Sequence, residues 1–323
     1  MAEKIKKIGI ITSGGDGPGM NAAVRAATRF GLHYGVEMVG VMRGYQGILD
    51  EDFVPLNHRS VSNIINKGGT ILKTARSKEF GTDEGKKKAA EILHRYDIDS
   101  LIVIGGDGSY QGAKRLYEMH GIPTIGLPGT IDNDINGTDQ TIGCSTAINT
   151  ALESIDKIRD TAQSMERVFV VEVMGNKSGY IAMEVALAAG AEDVIIPERT
   201  FDYAAMHQEI LKGNNKGKIS YIIIVAEGSA MASVVAENIT RHTGLETRYV
   251  VLGHVQRGGT PSGPDRILGT RLGAAAVELL LNGVYGKAVG VLEDEINVID
   301  LKDASRRVHA DMDARYKLLK ILT

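Results

Sequence analysis

The same local pattern occurs twice in this chain: a β-branched apolar run ends in Gly-Gly-Asp-Gly, and a helix-forming segment follows. The first run covers residues 5–12 and breaks at the glycine turn 13–19, and the second covers residues 99–104 and breaks at the turn 105–109. Strand, glycine turn and helix in that order direct backbone N–H groups at a bound anion such as phosphate. The continued alternation of strands and helices predicts an α/β protein with mostly parallel sheets and right-handed crossovers.

A third loop, residues 128–134, follows the apolar run 124–127, which we predict to be a buried strand that ends at Pro128. Asp132 and Asp134 are two positions apart, and in an extended segment this spacing puts both carboxylates on one side. Such carboxylates repel each other unless a cation, a hydrogen-bond donor or a substrate proton lies between them. We expect the three loops to converge at the carboxyl ends of the strands, where open α/β sheets bind ligands. A surface Asx turn is the alternative interpretation of this segment.

The composition excludes several classes of function. The 323 residues suffice for two domains, and a formal charge of -3 argues against nucleic acid as a main partner. Cys144 is the only cysteine, so no intrachain disulfide can form. The first residues are charged rather than apolar, and no apolar run approaches the length of a membrane span. We therefore expect a cytoplasmic protein with no membrane partner.

The predicted strand ends carry the groups that phosphoryl transfer needs. That reaction requires cations to neutralise the transferred group, backbone N–H groups around the phosphates and a carboxylate to accept a hydroxyl proton. Carboxylates and arginines stand at these positions: Asp107, Asp132, Asp134, Glu227, Arg76, Arg167, Arg248 and Arg257. A single histidine at a strand end is more often structural than catalytic. His254 precedes Arg257 and a double glycine, however, and this grouping favours a site for an anionic ligand.

Together, five motifs resemble the bacterial ATP-dependent 6-phosphofructokinase family. They occur in order over almost the whole chain, at residues 14–21, 105–109, 128–134, 174–175 and 253–259. The resemblance implies two Rossmann-like three-layer domains with the active site in the cleft between them. It also implies a homotetramer that uses MgATP to phosphorylate the 1-hydroxyl of fructose 6-phosphate in glycolysis. The family assigns residues 1–143 and 256–306 to a larger ATP-binding domain, and residues 144–255 and 307–323 to a smaller fructose 6-phosphate-binding domain.

The resemblance also implies roles for individual residues. The catalytic group has Asp132 as the general base, with Thr130, Asp134 and Asn176. The ATP group is Gly15, Tyr45, Arg76, Ser77, Asp107, Gly108 and Ser109, with Asp107 nearest Mg²⁺. The fructose 6-phosphate group is Thr130, Asp132, Met174, Gly175, Glu227, His254 and Arg257, with Arg167 and Arg248 supplied by a neighbouring subunit. An effector, ADP or phosphoenolpyruvate, is expected at Arg25, Arg29, His58, Arg59, Arg159, Glu192, Lys216 and Lys218.

Four positions bear on the donor, the rate and the regulation. Gly108 and Gly129 match the ATP-using branch of the family, because the pyrophosphate-using branch has Asp and Lys there. Asn176 stands where bacterial members usually have an arginine that stabilises the transferred phosphoryl group, and Lys177 is adjacent. His58 replaces a family arginine in the effector group, so we expect weakened or pH-sensitive effector binding.

Two alternatives remain open from the sequence. One is a pyrophosphate-dependent phosphofructokinase with the same fold. The other is a catalytically weak family member that binds metabolites as a regulatory subunit, and Asn176 is the feature that favours it.

Overall fold

Strands and helices alternate along most of the computed structural model, which describes residues 5–306 and 311–323. The strands, in chain order, are β1 (Lys7–Thr12), β2 (Glu37–Val41), β3 (Phe53–Leu56), β4 (Ser100–Gly105), β5 (Thr124–Thr130), β6 (Ile142–Gly143), β7 (Val168–Val173), β8 (Asp193–Ile195), β9 (Tyr221–Ala226), β10 (Thr247–Val251), β11 (Lys287–Leu292) and β12 (Glu295–Asp300). The helices are α1 (Met20–His33), α2 (Gly44–Leu49), α3 (Asp83–Arg95), α4 (Asp107–His120), α5 (Cys144–Met165), α6 (Tyr180–Ala189), α7 (Tyr203–Asn215), α8 (Ala232–Thr243), α9 (Gly263–Leu281), α10 (Leu301–Ala304) and α11 (Asp313–Leu322). A 3₁₀ helix covers Gly253–Arg257. The predicted α/β class is confirmed.

The described residues fall into two units. The first contains residues 5–131, 135–146 and 257–306, and the second contains residues 132–134, 147–256 and 311–323. Residues 307–310, which the family assigns to the smaller domain, lie outside the described residues. Which ligand each unit binds stays a prediction.

The first unit is built on one large sheet. Its strand order is β12-β11-β5-β4-β1-β2-β3, with β6 paired to β5. The pairs β2–β3 and β11–β12 are antiparallel and lie at the two edges, while the central pairs are parallel. Alternate residues of β1 point to opposite faces: Ile10 packs with residues of α1 and α9, and Ile11 packs with residues of α3 and α4. Helices therefore cover both faces of this sheet.

Close packing of α1 against α9 positions the first glycine turn. A Cβ at Gly269 would approach the Gly19 carbonyl oxygen to 2.8 Å, and one at Gly273 would approach the Ala23 carbonyl oxygen to 2.5 Å. Only residues without a side chain allow the two backbones to come this near. The N-terminus of α1, which follows Gly19, is thereby held against α9.

The second unit has a smaller sheet in which every pair is parallel. Its order is β10-β7-β9-β8, so β10 is an edge strand. Apolar residues of α7 and α8, among them Met206, Ile210 and Val235, pack on one face with Val170 and Ile223. Helix α6 packs against β8 and β9. Apart from Glu172 in β7, the residues of β7, β8 and β9 are buried, as expected for strands that carry helices.

The prediction that the strand of residues 124–127 ends at Pro128 is wrong, because β5 continues to Thr130. On one side β5 pairs with β4 from Thr124 to Pro128. On the other side it pairs with β11 at Ile125 and Gly126, and with β6 at Gly129 and Thr130. Pro128 therefore lies in the gap between two partners, where the N–H that proline lacks costs no ladder hydrogen bond.

The longest helix, α5, has 22 residues, which is enough to cross a bilayer if its sequence were apolar. It carries charged residues along its length, such as Glu153, Asp156 and Lys157. Among the described residues, no helix combines the length and the apolar character of a membrane span.

Candidate active site

The first glycine turn lies at the carboxyl end of β1. The Ser13 N–H donates to the Ile104 carbonyl oxygen at 2.9 Å, which ties the turn to the end of β4. Gly14 and Gly19 have φ values of 88° and 108°, a region that favours glycine. No side chain caps α1, whose first turn contains no acidic residue. The first N–H groups of α1 are therefore suited to an anion.

The second glycine turn, at the end of β4, lies directly beside the first. A Cβ on Gly105 would come within 2.5 Å of both the Ser13 carbonyl oxygen and the Ser109 Oγ. A Cβ on Gly14 would also contact that Ser109 hydroxyl, at 3.6 Å. The third loop reaches the same place, since a Cβ on Gly106 would lie 3.8 Å from the Thr130 Cβ. The structure thus brings the ends of β1, β4 and β5 together.

Tyr45, predicted to bind ATP, is a buried residue that supports the second turn. Its hydroxyl donates to the Ser109 carbonyl oxygen at 2.6 Å. Its ring stacks on Phe80, with centroids 4.0 Å apart and planes 7° apart. Burial raises the pKa of the Tyr45 hydroxyl far above its usual value, so the hydroxyl stays protonated and able to donate. Tyr45 therefore positions the backbone around Ser109.

The residues at the second turn fit a Mg²⁺ ion that binds together with ATP. Asp107 lies in the first turn of α4, and its Oδ1 accepts the Gly108 N–H at 2.7 Å. Within the described ranges, no group of three or more His, Cys, Asp or Glu side chains could hold a metal. Mg²⁺ does not need such a group, because it keeps several waters and is usually bound through one or two carboxylates plus substrate phosphates. The carboxylate oxygens of Asp107 are ligands of the kind that Mg²⁺ prefers.

Two predicted ATP residues, Arg76 and Ser77, lie in the irregular segment before α3. Arg76 is exposed, and the Ser77 hydroxyl accepts the Phe80 N–H at 3.0 Å. Ser77 thereby fixes the aromatic residue that stacks on Tyr45.

Arg257, predicted to bind fructose 6-phosphate, belongs to the first unit and lies against the first glycine turn. Its Nη1 donates to the Asp16 carbonyl oxygen at 3.1 Å. A Cβ on Gly15 would come within 2.4 Å of the same nitrogen. Gly15 is thus the residue that makes room for the guanidinium, which a sequence motif could not reveal.

The second unit contains Asp132 and Asp134. Both are buried, with 8% and 5% of their surface exposed. The expectation of an extended segment is wrong, because Asn133 has a φ of 50°, in the left-handed region. Asparagine tolerates this conformation better than most residues. The burial of two carboxylates distinguishes the segment from an ordinary surface Asx turn, since aspartates are almost never buried without a partner.

The turn after β7 is fixed by a carboxylate from the neighbouring strand β9. Glu227 follows β9, and its Oε1 accepts the N–H groups of Gly175 at 3.3 Å and of Asn176 at 2.8 Å. Asn176 has a φ of 53°. A Cβ on Gly228 would lie only 1.9 Å from the Asn176 carbonyl oxygen. Glu227, predicted to bind the sugar, therefore also holds the backbone around Asn176.

The residues after β10 differ from expectation in their local structure. We predicted that a strand delivers His254 and Arg257 to a glycine turn, but β10 ends at Val251 and both residues lie on the 3₁₀ helix. Within that helix, the buried Gln256 accepts the Met174 N–H at 2.9 Å. His254 is exposed. The 3₁₀ helix is therefore fastened to the end of β7.

Arg167 and Arg248, the predicted phosphate ligands, share one carboxylate. Glu246 Oε2 lies 2.9 Å from Arg167 Nε, and Glu246 Oε1 lies 2.5 Å from Arg248 Nη2. Parallel pairing of β7 with β10, which places Thr247 opposite Val168, brings the three side chains together.

The predicted effector residues fall in both units. Arg25 and Arg29 are on α1, and His58 and Arg59 lie in the loop after β3. In the second unit, Arg159 Nη2 donates to the carbonyl oxygens of Ala189 at 2.5 Å and of Gly190 at 3.1 Å.

A cavity of 360 Å³ in the second unit contains three of the predicted effector residues. Lys218 Nζ lies 3.0 Å from Glu192 Oε1, and Lys216 lines the same cavity. Two further lysines, Lys212 and Lys320, also line it. Three carboxylates, Glu192, Asp193 and Glu209, line the cavity as well, and they pair with Lys218 and Lys320. An anionic ligand would therefore compete with these carboxylates for the lysines.

Sequence reasoning missed two residues that organise these sites. Asp265, which is 1% exposed, accepts the N–H groups of Gly143 and Thr146, each at 2.8 Å, and the Thr146 hydroxyl at 2.5 Å. Burial raises the pKa of the Asp265 carboxyl, and these hydrogen bonds oppose that rise. The one available signal was the spacing of Ser262 and Asp265, which is that of a helix N-terminus. No local pattern pointed to Glu246.

Comparison with known proteins agrees with the motifs. The family model described as phosphofructokinase matches residues 7–280. ATP-dependent 6-phosphofructokinase 1 of Thermus thermophilus is 52% identical over 305 residues, covering 94% of this chain and 95% of the relative. The ATP-dependent 6-phosphofructokinase of Thermotoga neapolitana is 53% identical over 279 residues, covering 86% of this chain and 88% of the relative.

Solved structures agree with the fold. Phosphofructokinase from Saccharomyces cerevisiae superimposes with a TM-score of 0.86 at 37% identity over 93% of this chain, which spans 45% of the yeast chain. A pyrophosphate-dependent phosphofructokinase from Marinobacter aquaeolei, at 23% identity and a TM-score of 0.83, shares the fold. The resemblance carried by the motifs is confirmed: this chain belongs to the phosphofructokinase family.

Proposed function

We propose that this protein is an ATP-dependent 6-phosphofructokinase, which transfers the γ-phosphoryl group of MgATP to the 1-hydroxyl of fructose 6-phosphate. The observation that carries the proposal is the convergence of the glycine turns at β1 and β4 with Asp107 at the start of α4. Relatives that share about half of their residues with this chain over nearly its whole length bear the name of that activity.

In the first unit, the proposed phosphate ligands are the backbone N–H groups of Gly15, Gly108 and Ser109, with Arg76 and Ser77 as further ligands. The Gly108 N–H would exchange the Asp107 carboxylate for a phosphate oxygen. Asp107 would hold the Mg²⁺, which when bound neutralises charge on the phosphates. Gly108 leaves open space, since a Cβ there would meet no atom within 4 Å. That space is what a phosphate group bound to the backbone would require.

Asp132 acts as the general base. The oxygen of the 1-hydroxyl attacks the γ-phosphorus, its proton passes to the Asp132 carboxylate, and the bond from phosphorus to the bridging oxygen breaks to release ADP. Burial of Asp132 limits its access to bulk water, which favours transfer from a bound hydroxyl. Thr130 and Asp134 belong to the same loop and assist in holding substrate.

The sugar phosphate is bound by Met174, Gly175, Glu227 and His254, with Arg257 and, from a neighbouring subunit, Arg167 and Arg248. Several cations are needed because the 6-phosphate is a dianion. One Glu227 oxygen holds the turn at Asn176, and the other is suited to a sugar hydroxyl.

ATP is the proposed donor because of Gly108 and Gly129. A Cβ on Gly129 would lie 2.9 Å from both Ile104 Cγ2 and Met20 Cε, and 3.1 Å from the Gly105 nitrogen. The lysine of the pyrophosphate-using branch would therefore require the backbone here to shift.

We also propose a homotetramer that acts in cytoplasmic glycolysis and responds to ADP or phosphoenolpyruvate. The effector residues are Arg25, Arg29, His58, Arg59, Arg159, Glu192, Lys216 and Lys218. The lysine-lined cavity that contains Glu192, Lys216 and Lys218 supports this part of the proposal.

The test is a coupled assay of the purified protein with fructose 6-phosphate, Mg²⁺ and either ATP or pyrophosphate. We expect turnover with ATP above about 1 s⁻¹. Binding of both substrates without turnover would instead support a regulatory subunit and make Asn176 the decisive residue.

A further inference from the structure

One carboxylate, that of Glu246, forms ion pairs with both arginines that are assigned to the substrate phosphate. Glu246 Oε1 lies 2.5 Å from Arg248 Nη2, and Glu246 Oε2 lies 2.9 Å from Arg167 Nε. Each carboxylate oxygen therefore serves a different guanidinium. Arg248 Nη2 donates a hydrogen bond to Glu246 Oε1, whereas Arg167 Nε faces the carboxylate as an ion pair without a hydrogen bond. A phosphate group that binds both arginines would therefore compete with Glu246 for the Arg248 N–H and for the charge of Arg167.

The backbone fixes this arrangement. The Val168 N–H donates to the Glu246 carbonyl oxygen at 3.2 Å, and Thr247 pairs with Val168 in the parallel ladder of β7 and β10. Arg167 and Glu246 are therefore neighbours at the start of adjacent strands. Arg248 is two residues after Glu246 on β10, an edge strand, so its side chain can lie on the same side.

These ion pairs are weak enough for a ligand to replace them. The side chains of Arg248, Glu246 and Arg167 are 59%, 49% and 21% exposed. Ion pairs this exposed stabilise a folded protein only weakly. A phosphate dianion, with twice the charge and more acceptor oxygens, is the stronger partner for the two guanidinium groups.

The net charge of the three side chains determines how strongly they attract a phosphate. Arg167, Arg248 and Glu246 together carry a net charge of +1 at neutral pH, and without the carboxylate the same group would carry +2. An arriving dianion is attracted by both arginines and repelled by Glu246. The carboxylate should therefore weaken phosphate binding while it holds the arginines in the free protein.

We propose that Glu246 is an internal counter-ion of the phosphate-binding arginines, which the 6-phosphate of the substrate displaces. Glu246 is thus a positioning residue that sets the affinity for the sugar phosphate and takes no part in the transfer itself. This inference rests on the assignment of Arg167 and Arg248 to the substrate phosphate.

The test compares Glu246→Gln with the unmodified protein. Glutamine keeps the size of the side chain and one acceptor oxygen but removes the charge. We expect the KM for fructose 6-phosphate to fall by about threefold to tenfold, with kcat and the KM for ATP unchanged. An unchanged or raised KM for fructose 6-phosphate, at an unchanged melting temperature, would overturn the proposal.

Glu237→Gln is the matched control. Glu237 is an exposed carboxylate of the same unit, and it pairs with Arg241 one turn along α8 at 2.7 Å. Glu237→Gln changes the net charge of the protein by the same amount as Glu246→Gln. If the effect is specific to Glu246, the KM for fructose 6-phosphate should stay the same in Glu237→Gln. A fall in KM as large as that of Glu246→Gln would assign the effect to overall charge.

A double-mutant cycle with Arg248→Ala adds a readout that a purely structural role would not change. In the Arg248→Ala background, Glu246→Gln should shift the KM by less than half as much, because one of the two shared partners is gone. An equal shift in both backgrounds would show that Glu246 acts independently of Arg248.

Calorimetric titration separates this proposal from the reaction itself. Inorganic phosphate and fructose 6-phosphate are titrated into the full-length protein without ATP, and Glu246→Gln should tighten the binding of both. Tighter binding in a protein without turnover would sustain the counter-ion and refute the proposed reaction. Normal turnover with unchanged binding would refute the counter-ion alone.

Discussion

The predicted ATP group in the first unit consists largely of backbone N–H groups and small residues, whereas the predicted sugar-phosphate group, most of which lies in the second unit, relies on long charged side chains. The first group gains space by lacking side chains at Gly15, where the Arg257 guanidinium lies, and at Gly108, where a Cβ would meet no atom within 4 Å. In the second unit, Glu227 accepts the Asn176 N–H, and Glu246 accepts a hydrogen bond from Arg248 and forms an ion pair with Arg167. The first group therefore depends on small residues that leave space, and the second must exchange internal charged partners for ligand. Substitutions in the ATP group should therefore affect binding mainly by filling space, and substitutions in the sugar-phosphate group should affect it mainly by changing charge.

The largest effect is expected for Asp132→Ser, which should lower kcat by about 10²–10⁴ with little change in the KM for ATP. Loss of the Asp132 carboxylate should leave the glycine turns of the first unit intact. Steady-state kinetics measures both parameters. Asp160→Ser, on the exposed side of α5, serves as the control and should keep normal kinetics. An unchanged kcat in Asp132→Ser would place the base elsewhere.

The comparison predicts different outcomes for two glycines. Gly108→Ala fills open space, so it should raise the KM for ATP by about tenfold to 10²-fold, the cost of misplacing a substrate by about 1 Å, with the melting temperature unchanged. Gly228→Ala places a Cβ on the Asn176 carbonyl oxygen and should lower the free energy of unfolding by about 2 kcal/mol. Thermal unfolding and kinetics of both variants test this contrast. Equal destabilisation by the two would remove the distinction.

Asn176→Arg should raise kcat by about tenfold or more, because an arginine would supply positive charge near the transferred group. The same change should lower stability by about 1 kcal/mol, since Asn176 has a φ of 53° and arginine tolerates that conformation less well. Kinetics and chemical denaturation measure the two effects separately. Lys177→Arg keeps the charge at the neighbouring position and is the control. If kcat stays constant in Asn176→Arg, the usual arginine is not needed here.

The smallest effect concerns regulation. An imidazole offers a phosphate group fewer donors than a guanidinium does, so effector binding at His58 should be weak, and His58→Arg should tighten it by about fivefold. Titration with ADP and with phosphoenolpyruvate measures the affinity of both proteins. Equal affinity in the two would contradict the assignment of His58 to the effector group.

The order of elements and the three converging loops could be predicted from the sequence, because β-branched runs and glycine turns are local signals. The continuation of β5 through Pro128 could not, since it depends on a gap between two partner strands that are distant in sequence. The antiparallel strand β3 was missed because its four residues include a proline and are only partly buried.

The contacts within the site were harder to predict than its members. Glu227 and Glu246 meet their partners through the register of β7 with β9 and β10, which no local pattern encodes. The left-handed conformations of Asn133 and Asn176 likewise arise from turns whose geometry is set by distant residues.

The central claim, that ATP donates the phosphoryl group to fructose 6-phosphate, is tested most directly by phosphorus NMR of one reaction that contains the protein, Mg²⁺, fructose 6-phosphate, ATP and pyrophosphate. We predict that the γ-phosphorus signal of ATP disappears while fructose 1,6-bisphosphate and ADP accumulate in equal amounts, and that pyrophosphate persists. Consumption of pyrophosphate with ATP left intact would contradict the claim.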